Sequence, residues 1–318
     1  MSPINMITKE IICKELIKNG HSKENGIKMW NIGNKQFRYI NLEMAKAYLK
    51  LQEHPRYKAT ITEKEIKLLE ENILNFLKPM KESSFNLIDM GCINGIKAKT
   101  ILKNLPSAMK IRYCPASVNE HLVKISLENV KKENFSNVIE YAPRISPDFE
   151  SLDQISAALR NNTYQKNVLL ALRSLIANFD INQYLFNVSR SMFPDDLLIV
   201  GNGIRKGERF ANLETYKHPV FNKWLIHLMR QLGFKDNEVE YDARFAHNRL
   251  EAYYKINIDK TLEHNTKKIE LKKGDEIIVL YQYKFYAEEL KNLIKMYFDE
   301  VELVKDSEEE YALVWCKK

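Results

Sequence analysis

No apolar run in this 318-residue chain approaches the roughly 20 residues needed to cross a bilayer, so a membrane-spanning protein is not expected. The N-terminal stretch MSPINMITKEIICKELIKNG mixes Lys and Glu into its apolar pattern, lacks the continuous apolar core of a secretory signal, and reads as an amphipathic helix. The four cysteines, Cys13, Cys92, Cys114 and Cys316, are scattered and form no CxxC pair. That argues against a disulfide framework or a zinc knuckle and leaves reduced thiols in a cytoplasmic protein. The seven histidines show no HExxH or His-x-His spacing, so no metal site is expected. There is no Walker A loop for nucleotide hydrolysis. Ser174 and Ser191 lack the G-x-S-x-G elbow of a hydrolase, and GCINGI is a poor dinucleotide fingerprint.

What is present is a globular composition, 45% hydrophobic and 29% charged, sufficient for a sizeable core. The formal charge of +7 would suit an anionic partner, but the lysines are interleaved with glutamates, as in ITEKEIKLLEEN. The doublets Lys131–Lys132, Lys267–Lys268 and Lys272–Lys273 do not make a stripe. A solvated surface is the better reading, and nucleic acid is not an expected partner.

Residues 1–80 read as mostly helical. Asn41–Gln52 forms one helix and Thr62–Leu77 another, with Thr62 as N-cap and Glu63 and Glu65 in the first turn. EHPRYKAT, with Pro55, reads as the loop between them. From residue 85 strands alternate with helices. Strands are expected at Phe85–Met90, Lys110–Pro115 and Asn137–Pro143, a fourth within NVLLALRSLIANF and a fifth in DDLLIVGNG. Such alternation indicates right-handed βαβ units and a parallel sheet, whose ligand sits at the carboxyl ends of the strands where strand order reverses. That rim holds Asp89–Gly95, Pro115–Asn119, Tyr141–Pro143 and Arg173–Asn178. ARFAHNRLEAYYKINI and KKIELKKGDEIIVLYQYKF read as antiparallel strands, followed by a helix at Ala287–Tyr297 and two closing strands in EVELVKDSEEEYALVWCKK.

Several segments, in order along nearly the whole chain, resemble one family: the S-adenosylmethionine-dependent histidine Nα-methyltransferases of ergothioneine biosynthesis and their relatives. LIDMGCINGIKAKTIL resembles the acid-x-Gly-x-Gly-x-Gly-x-Lys-Thr loop, RYCPASVNEHL the Tyr-x-Pro-x-Asp-x-Ser strand end, and LLALRSLIANF the Leu-Gly-Ser-x-Ile-Gly-Asn-Phe segment. DLLIVGNGIRKGERFANLETY is similar to the fifth strand with its Lys-containing loop and downstream Tyr. HPRYKATITEKE and YQYKF stand where the family has Leu-Pro-Glu-Tyr-Tyr-Pro-Thr-x-x-Glu and Glu-x-Ser-x-Lys-Tyr. The helix and hairpin that end the chain suit the methyltransferase version of the fold rather than a dehydrogenase.

The resemblance implies an α/β fold: a Rossmann-like class I methyltransferase sheet with a second, discontinuous α+β cap domain. The expected division is 62–200 with 284–318 for the methyltransferase domain, and 1–61 with 201–283 for a substrate-binding cap. Asp89, Gly91, Asn94 and Gly95 would hold S-adenosylmethionine, with Ser117 at the ribose. Asn178 and Tyr216 would place the substrate, while Tyr57, Tyr281 and Gln282 shape its pocket. No catalytic base is identified.

Departures accompany the matches. Ile93 replaces a loop glycine, putting a branched side chain into the cofactor's space at a position where positive φ would be resisted. Ser117 replaces the ribose-binding acid, and no acid follows strand three, although Glu140 is adjacent to Tyr141-Ala142-Pro143. Arg173 and Ala177 replace two further glycines. The carboxylate and serine that grip imidazole fall at Leu280 and Gln282, which argues against histidine as substrate. Asp89 is read either as a cofactor ligand or as a helix cap, Asn178 as a substrate ligand or a cap near Asp180, and Arg173 as a partner for an acid in the cleft or a solvent-facing residue. The leading expectation is an N-methyltransferase acting on an amino-acid-like or small amine other than histidine. The second is a protein of this fold that has lost cofactor binding and serves as a regulatory or structural subunit beside a protein partner, such as a paralogous enzyme.

Overall fold

The computed structural model describes residues 3–33, 35–81, 83–146, 152–207 and 212–318. Helix α1 (Pro3–Asn19) buries Thr8, Ile12 and Leu16, a stripe at four-residue spacing that gives it one inward face. A hairpin follows, β1 (His21–Glu24) and β2 (Ile27–Asn31), turned at Asn25 and Gly26 with φ of 48° and 84°. The helical reading of residues 1–80 missed it. All four β1 residues are exposed, so no apolar alternation marks the strand, and only the Asn-Gly turn signals it.

Helix α2 (Leu42–Glu53) begins at Asn41, whose side chain accepts from the Met44 N–H. The segment expected to be a loop is helical instead. α3 (Pro55–Tyr57) runs through a π-helical turn, Lys58–Thr62, into α4 (Glu63–Phe76). Pro55 stands at the first helical position, where a missing N–H costs nothing. Thr62 has helical backbone angles and makes no side-chain cap, so it is not the N-cap expected of it.

The α/β part follows with β3 (Ser84–Met90), α5 (Ile96–Asn104), β4 (Lys110–Ser117), α6 (Glu120–Lys131), β5 (Val138–Tyr141) and β6 (Arg144–Ile145). Then come α7 (Leu152–Leu159), β7 (Lys166–Ala171), α8 (Ile181–Ser191) and β8 (Leu197–Gly203). Part of the loop compared with the family's Lys-containing segment, residues 208–211, lies outside the described residues. Beyond it are α9 (Leu213–Lys217), α10 (Pro219–Gln231), β9 (Val239–Ala246), β10 (Arg249–Ile256), β11 (Lys260–His264), β12 (Lys267–Leu271) and β13 (Glu276–Tyr283). The chain closes with α11 (Ala287–Lys295), β14 (Glu300–Lys305) and β15 (Tyr311–Lys317).

Two compact units result, Met1–Arg56 with Arg209–Tyr283, and Tyr57–Glu208 with Lys284–Lys318. In the first, the strands run in the order β1-β2-β13-β10-β9, with β11 and β12 as a separate ribbon. In the second, the order is β14-β15-β8-β7-β3-β4-β5, with β6 extending alongside β4. Here β8, β7, β3, β4 and β5 are parallel, and β15 enters antiparallel between β8 and β14. This is the strand order expected of the Rossmann-like class I methyltransferase sheet. Its strand order reverses between β3 and β7, which fixes the crevice at their carboxyl ends. Leu87, Ile111, Val168 and Ile199 from the strands and Leu69, Ile73 and Ile101 from the helices fill one continuous core beneath it.

Candidate functional site

Asp89 is the penultimate residue of β3, level with Pro115 of β4 and Leu170 of β7, and is 3% exposed. Its carboxylate accepts from the Tyr113 hydroxyl at 3.0 Å, and that hydroxyl shares a 2.6 Å hydrogen bond with Ser126. Burial pushes the Asp89 carboxyl up, while the Arg173 charge and the Tyr113 hydroxyl pull it back. Asp89 is therefore not a helix cap. Helix α5 starts at Gly95 without a side-chain cap, and the Asn94 side chain accepts from the Ile96 N–H at 3.3 Å. The chain turns out of β3 on two left-handed glycines, Gly91 and Gly95, with φ of 67° and 71°. A Cβ on Gly95 would stand 2.9 Å from the Ser126 carbonyl oxygen, so both space and backbone require glycine there. Ile93 is buried and is not among the residues with positive φ, so the expected backbone conflict at that position does not arise.

Arg173 and Ser174 follow β7 with φ of 60° and 52°, two consecutive left-handed residues that are not glycine. The backbone is pinned there. The Arg173 N–H donates to Glu65 at 2.7 Å, the Ser174 N–H to the Gly201 carbonyl at 2.7 Å, and the Gly203 N–H to the Ser174 hydroxyl at 2.9 Å. The Arg173 guanidinium reaches back to donate to the Gly91 carbonyl, so it faces the crevice and not solvent. Glu65 is a first-turn acid of α4, as read from sequence, and is fully buried. It also accepts from the Tyr311 hydroxyl at 2.5 Å and forms an ion pair with the buried Lys97. Gly201 makes room for this carboxylate, because a Cβ at that position would overlap Glu65 Oε1.

The ribose side is more closed. Ser117 is 2% exposed, its hydroxyl accepts from the Asn119 N–H at 3.4 Å, and its carbonyl accepts from the Ser146 N–H at 3.0 Å. Strand β6 pairs alongside Ala116 and Ser117, in the stretch where no acid follows the third parallel strand.

Of the expected substrate residues, Asn178 and Tyr57 belong to the second unit. Asn178 lies buried in a 3-10 turn, Ile176–Asn178, and its side-chain amide donates to the Ser174 and Leu175 carbonyls. The cap of α8 is Asp180, which accepts from the Gln183 N–H at 3.0 Å, so the capping alternative for Asn178 falls. Tyr57 is buried and opens the π-helical turn. In the first unit, the Tyr216 hydroxyl donates to the Gln282 side-chain carbonyl at 3.1 Å, and burial pushes the phenol's pKa up. Tyr281, one residue along β13, points to the opposite face by the strand's alternation. There the Arg249 guanidinium lies 5.2 Å from its ring centre, and a Cβ on Gly33 would stand 2.6 Å from its ring. Tyr216 and Gln282 are thus brought together, and Tyr281 is not brought to them.

A family model described as histidine-specific, SAM-dependent methyltransferase matches residues 45–318. The chain belongs to this family. No curated protein matches it. Among solved structures, it is similar to a S-adenosylmethionine-dependent methyltransferase from Clostridium acetobutylicum, at 10% identity and a TM-score of 0.43, over 79% of this chain and 91% of that one. A Pyrococcus horikoshii protein gives 12% identity and a TM-score of 0.44, over 87% and 99% of the two chains. The CurJ carbon methyltransferase gives 12% and 0.48, over 99% and 66%.

The cofactor of this methyltransferase family is S-adenosylmethionine. The loop of this member fits its amino-acid end. The turn is made by two glycines, Gly91 and Asn94 are partly exposed at the rim, and an acid lies directly behind them. The ribose end is reduced, since Ser117 offers a hydroxyl where an acid would take two hydrogen bonds.

Two residues of this methyltransferase escaped the sequence reading. Glu65 does stand in the first turn of α4, but its burial against partners distant in sequence has no local signal. Lys284 is 2% exposed, and burial lowers its ammonium to about 7. Its Nζ lies 2.9 Å from where a Cβ on Gly203 would be, at the carboxyl end of β8. Its place in YQYKF, aligned with the family's Lys, was the available signal. Among the described residues, no helix is long and apolar enough to cross a membrane.

Proposed function

We propose that this member transfers a methyl group from S-adenosylmethionine to the nitrogen of an amino-acid-like or small amine other than histidine, in the cytoplasm. The observation that carries the reading is the glycine turn after Asp89 at the strand-order reversal, in a chain that matches the family model over residues 45–318. When bound, S-adenosylmethionine supplies an electrophilic methyl group. The chain's work is then positional. Asp89, Gly91, Asn94 and Gly95 hold the amino-acid end and Ser117 one ribose hydroxyl, while Asn178 and Tyr57 of the same unit orient the acceptor, so proximity accounts for much of the acceleration. Tyr281 shapes the cap's own packing rather than the acceptor pocket. Leu280 is buried and apolar and has no group to accept from an imidazole N–H, which supports an acceptor other than histidine. The division into a methyltransferase unit and a substrate cap belongs to the same reading.

Calorimetry with S-adenosylmethionine and S-adenosylhomocysteine tests it, followed by a labelled-methyl screen over free amino acids and simple amines. Binding that Asp89→Ala abolishes, with label entering an amine, is the expected result. Absence of binding at millimolar ligand would refute it. A second reading, a partner subunit that no longer binds cofactor, draws on the closed surroundings of Ser117. Co-purification with a catalytically active paralogue, together with absent binding, would favour that reading.

A further inference from the structure

At the carboxyl end of β3 two acceptors stand close together, the Gly91 carbonyl oxygen and the buried Asp89 carboxylate. Both already face a cation. The Arg173 guanidinium donates to the Gly91 oxygen, and its charge acts on Asp89 and on the neighbouring Cys92. The arginine is not there by side-chain chance. Its backbone N–H is fixed to Glu65, the next residue's N–H to Gly201, and both residues hold left-handed angles that side chains other than glycine resist. Backbone strain of this kind persists only where the surrounding structure over-determines it, and it concentrates at functional sites. The anchors include Glu65, itself held by Lys97 and Tyr311, so the backbone from which the Arg173 side chain departs is set from behind.

The amino-acid end of S-adenosylmethionine carries an ammonium and a carboxylate, and its sulfur is a cationic sulfonium. A carbonyl and a carboxylate at the end of a glycine turn are acceptors suited to such a cation. Resting on the reading of this loop as the cofactor site, we propose that Arg173 is the specificity-determining residue of that site: an internal cation that holds the acceptors for the cofactor's amino-acid end and must be displaced when the cofactor binds. Adenosine derivatives without an ammonium meet no such competition. The residue therefore sets the balance between the full cofactor and its truncated adenosine products.

The inference has a definite sign. A charge-assisted hydrogen bond between guanidinium and carbonyl must be given up on binding, so removing the arginine strengthens binding by about tenfold or more. Arg173→Gly suits the left-handed backbone and relieves it. Arg173→Gln keeps a side chain of similar reach without the charge and serves as the second variant. Both are compared with the unaltered protein by calorimetry against S-adenosylmethionine, S-adenosylhomocysteine and 5′-methylthioadenosine, with thermal melts to establish folding. The expected pattern is tighter binding of the two amino-acid-bearing ligands in both variants, with methylthioadenosine unchanged. Equal gains for all three ligands would overturn the proposal, because the effect would then be steric and not a competition for the ammonium's acceptors. Weaker or unchanged S-adenosylmethionine binding in both variants also overturns it. If the unaltered protein nonetheless binds the cofactor, the methyltransferase reading survives that result; if no form binds any of the three ligands, both fall.

Discussion

Glu65 offers the sharpest test of how the crevice is held together. It is 0% exposed, it pairs with Lys97 at 2% exposure, and it accepts from the Arg173 N–H at 2.7 Å and the Tyr311 hydroxyl at 2.5 Å. Glu65→Ala removes the acceptor from all three donors and leaves an ammonium buried without its counter-charge. Breaking one side of a buried ion pair costs about 3–5 kcal/mol, whereas replacing both partners by apolar residues of similar volume is often nearly neutral. We therefore expect a loss of about 4 kcal/mol, which for a unit of this size lowers Tm by ~10 °C. Glu65→Leu combined with Lys97→Met should recover more than half of that loss. Urea and thermal unfolding, followed by circular dichroism, measure both. A single substitution costing less than about 1 kcal/mol, or a double variant as unstable as the sum of its singles, would refute the reasoning, since neither fits a desolvated pair.

Gly201→Ala should be destabilising in the unaltered protein and much less so beside Glu65→Ala, because the added Cβ overlaps Glu65 Oε1 and not the backbone; equal costs in the two backgrounds, read by the same melts, would contradict this. Lys284 gives a pH signature. Its ammonium, ordinarily at 10.5, is lowered to about 7 by burial, so between those values the unfolded chain holds a proton that the folded one lacks. Stability then rises with pH through that window, by at most about 1.4 kcal/mol per pH unit, and is lost again as pH falls to 7. Lys284→Met should be more stable than the unaltered protein near pH 6, with the gap closing towards pH 10; a gap constant with pH would show that Lys284 does not titrate in this way. Tyr216→Phe, which removes the hydroxyl donated to Gln282, should raise KM for the amine without altering cofactor affinity in calorimetry, and a loss of cofactor binding would count against its placement on the substrate side.

The sheet was legible because its strands are short apolar runs with their ends marked: an acid and a glycine after Ile88, a proline within β4, glycines ending β8. Patterns of that kind survive in sequence because β3, β4, β7 and β8 are buried on both faces. The β1–β2 hairpin was not legible, since one strand is exposed on every residue and only its Asn-Gly turn is informative. The helix from Pro55 to Phe76 was misdivided for a different reason. Proline was weighed as a breaker, although at the first helical position it is neutral. Of the site, Asp89, Gly91, Asn94 and Gly95 stand together where local spacing put them. The role of Arg173 in the crevice was left open because it depends on a contact 82 residues away, and that of Glu65 on one 246 residues away, to which no local pattern points. Tyr281 and Gln282, adjacent in sequence, were grouped together, yet a strand turns neighbours to opposite faces.

The placement of β15 bears on how the protein is made. Glu65 leaves the ribosome well before Tyr311, from whose hydroxyl it accepts a hydrogen bond and which follows only after the segment from α9 to β13 has been synthesised. Until then β8 has an open edge, and the carboxylate that orders Arg173 lacks one of its donors. Strands whose partners are distant in sequence assemble slowly, and their unpaired edges invite association with other chains. The nascent crevice therefore waits on β15. Truncations that remove β15 should give aggregation during translation rather than a folded protein with a weakened site, a difference that ribosome-bound protease protection would reveal.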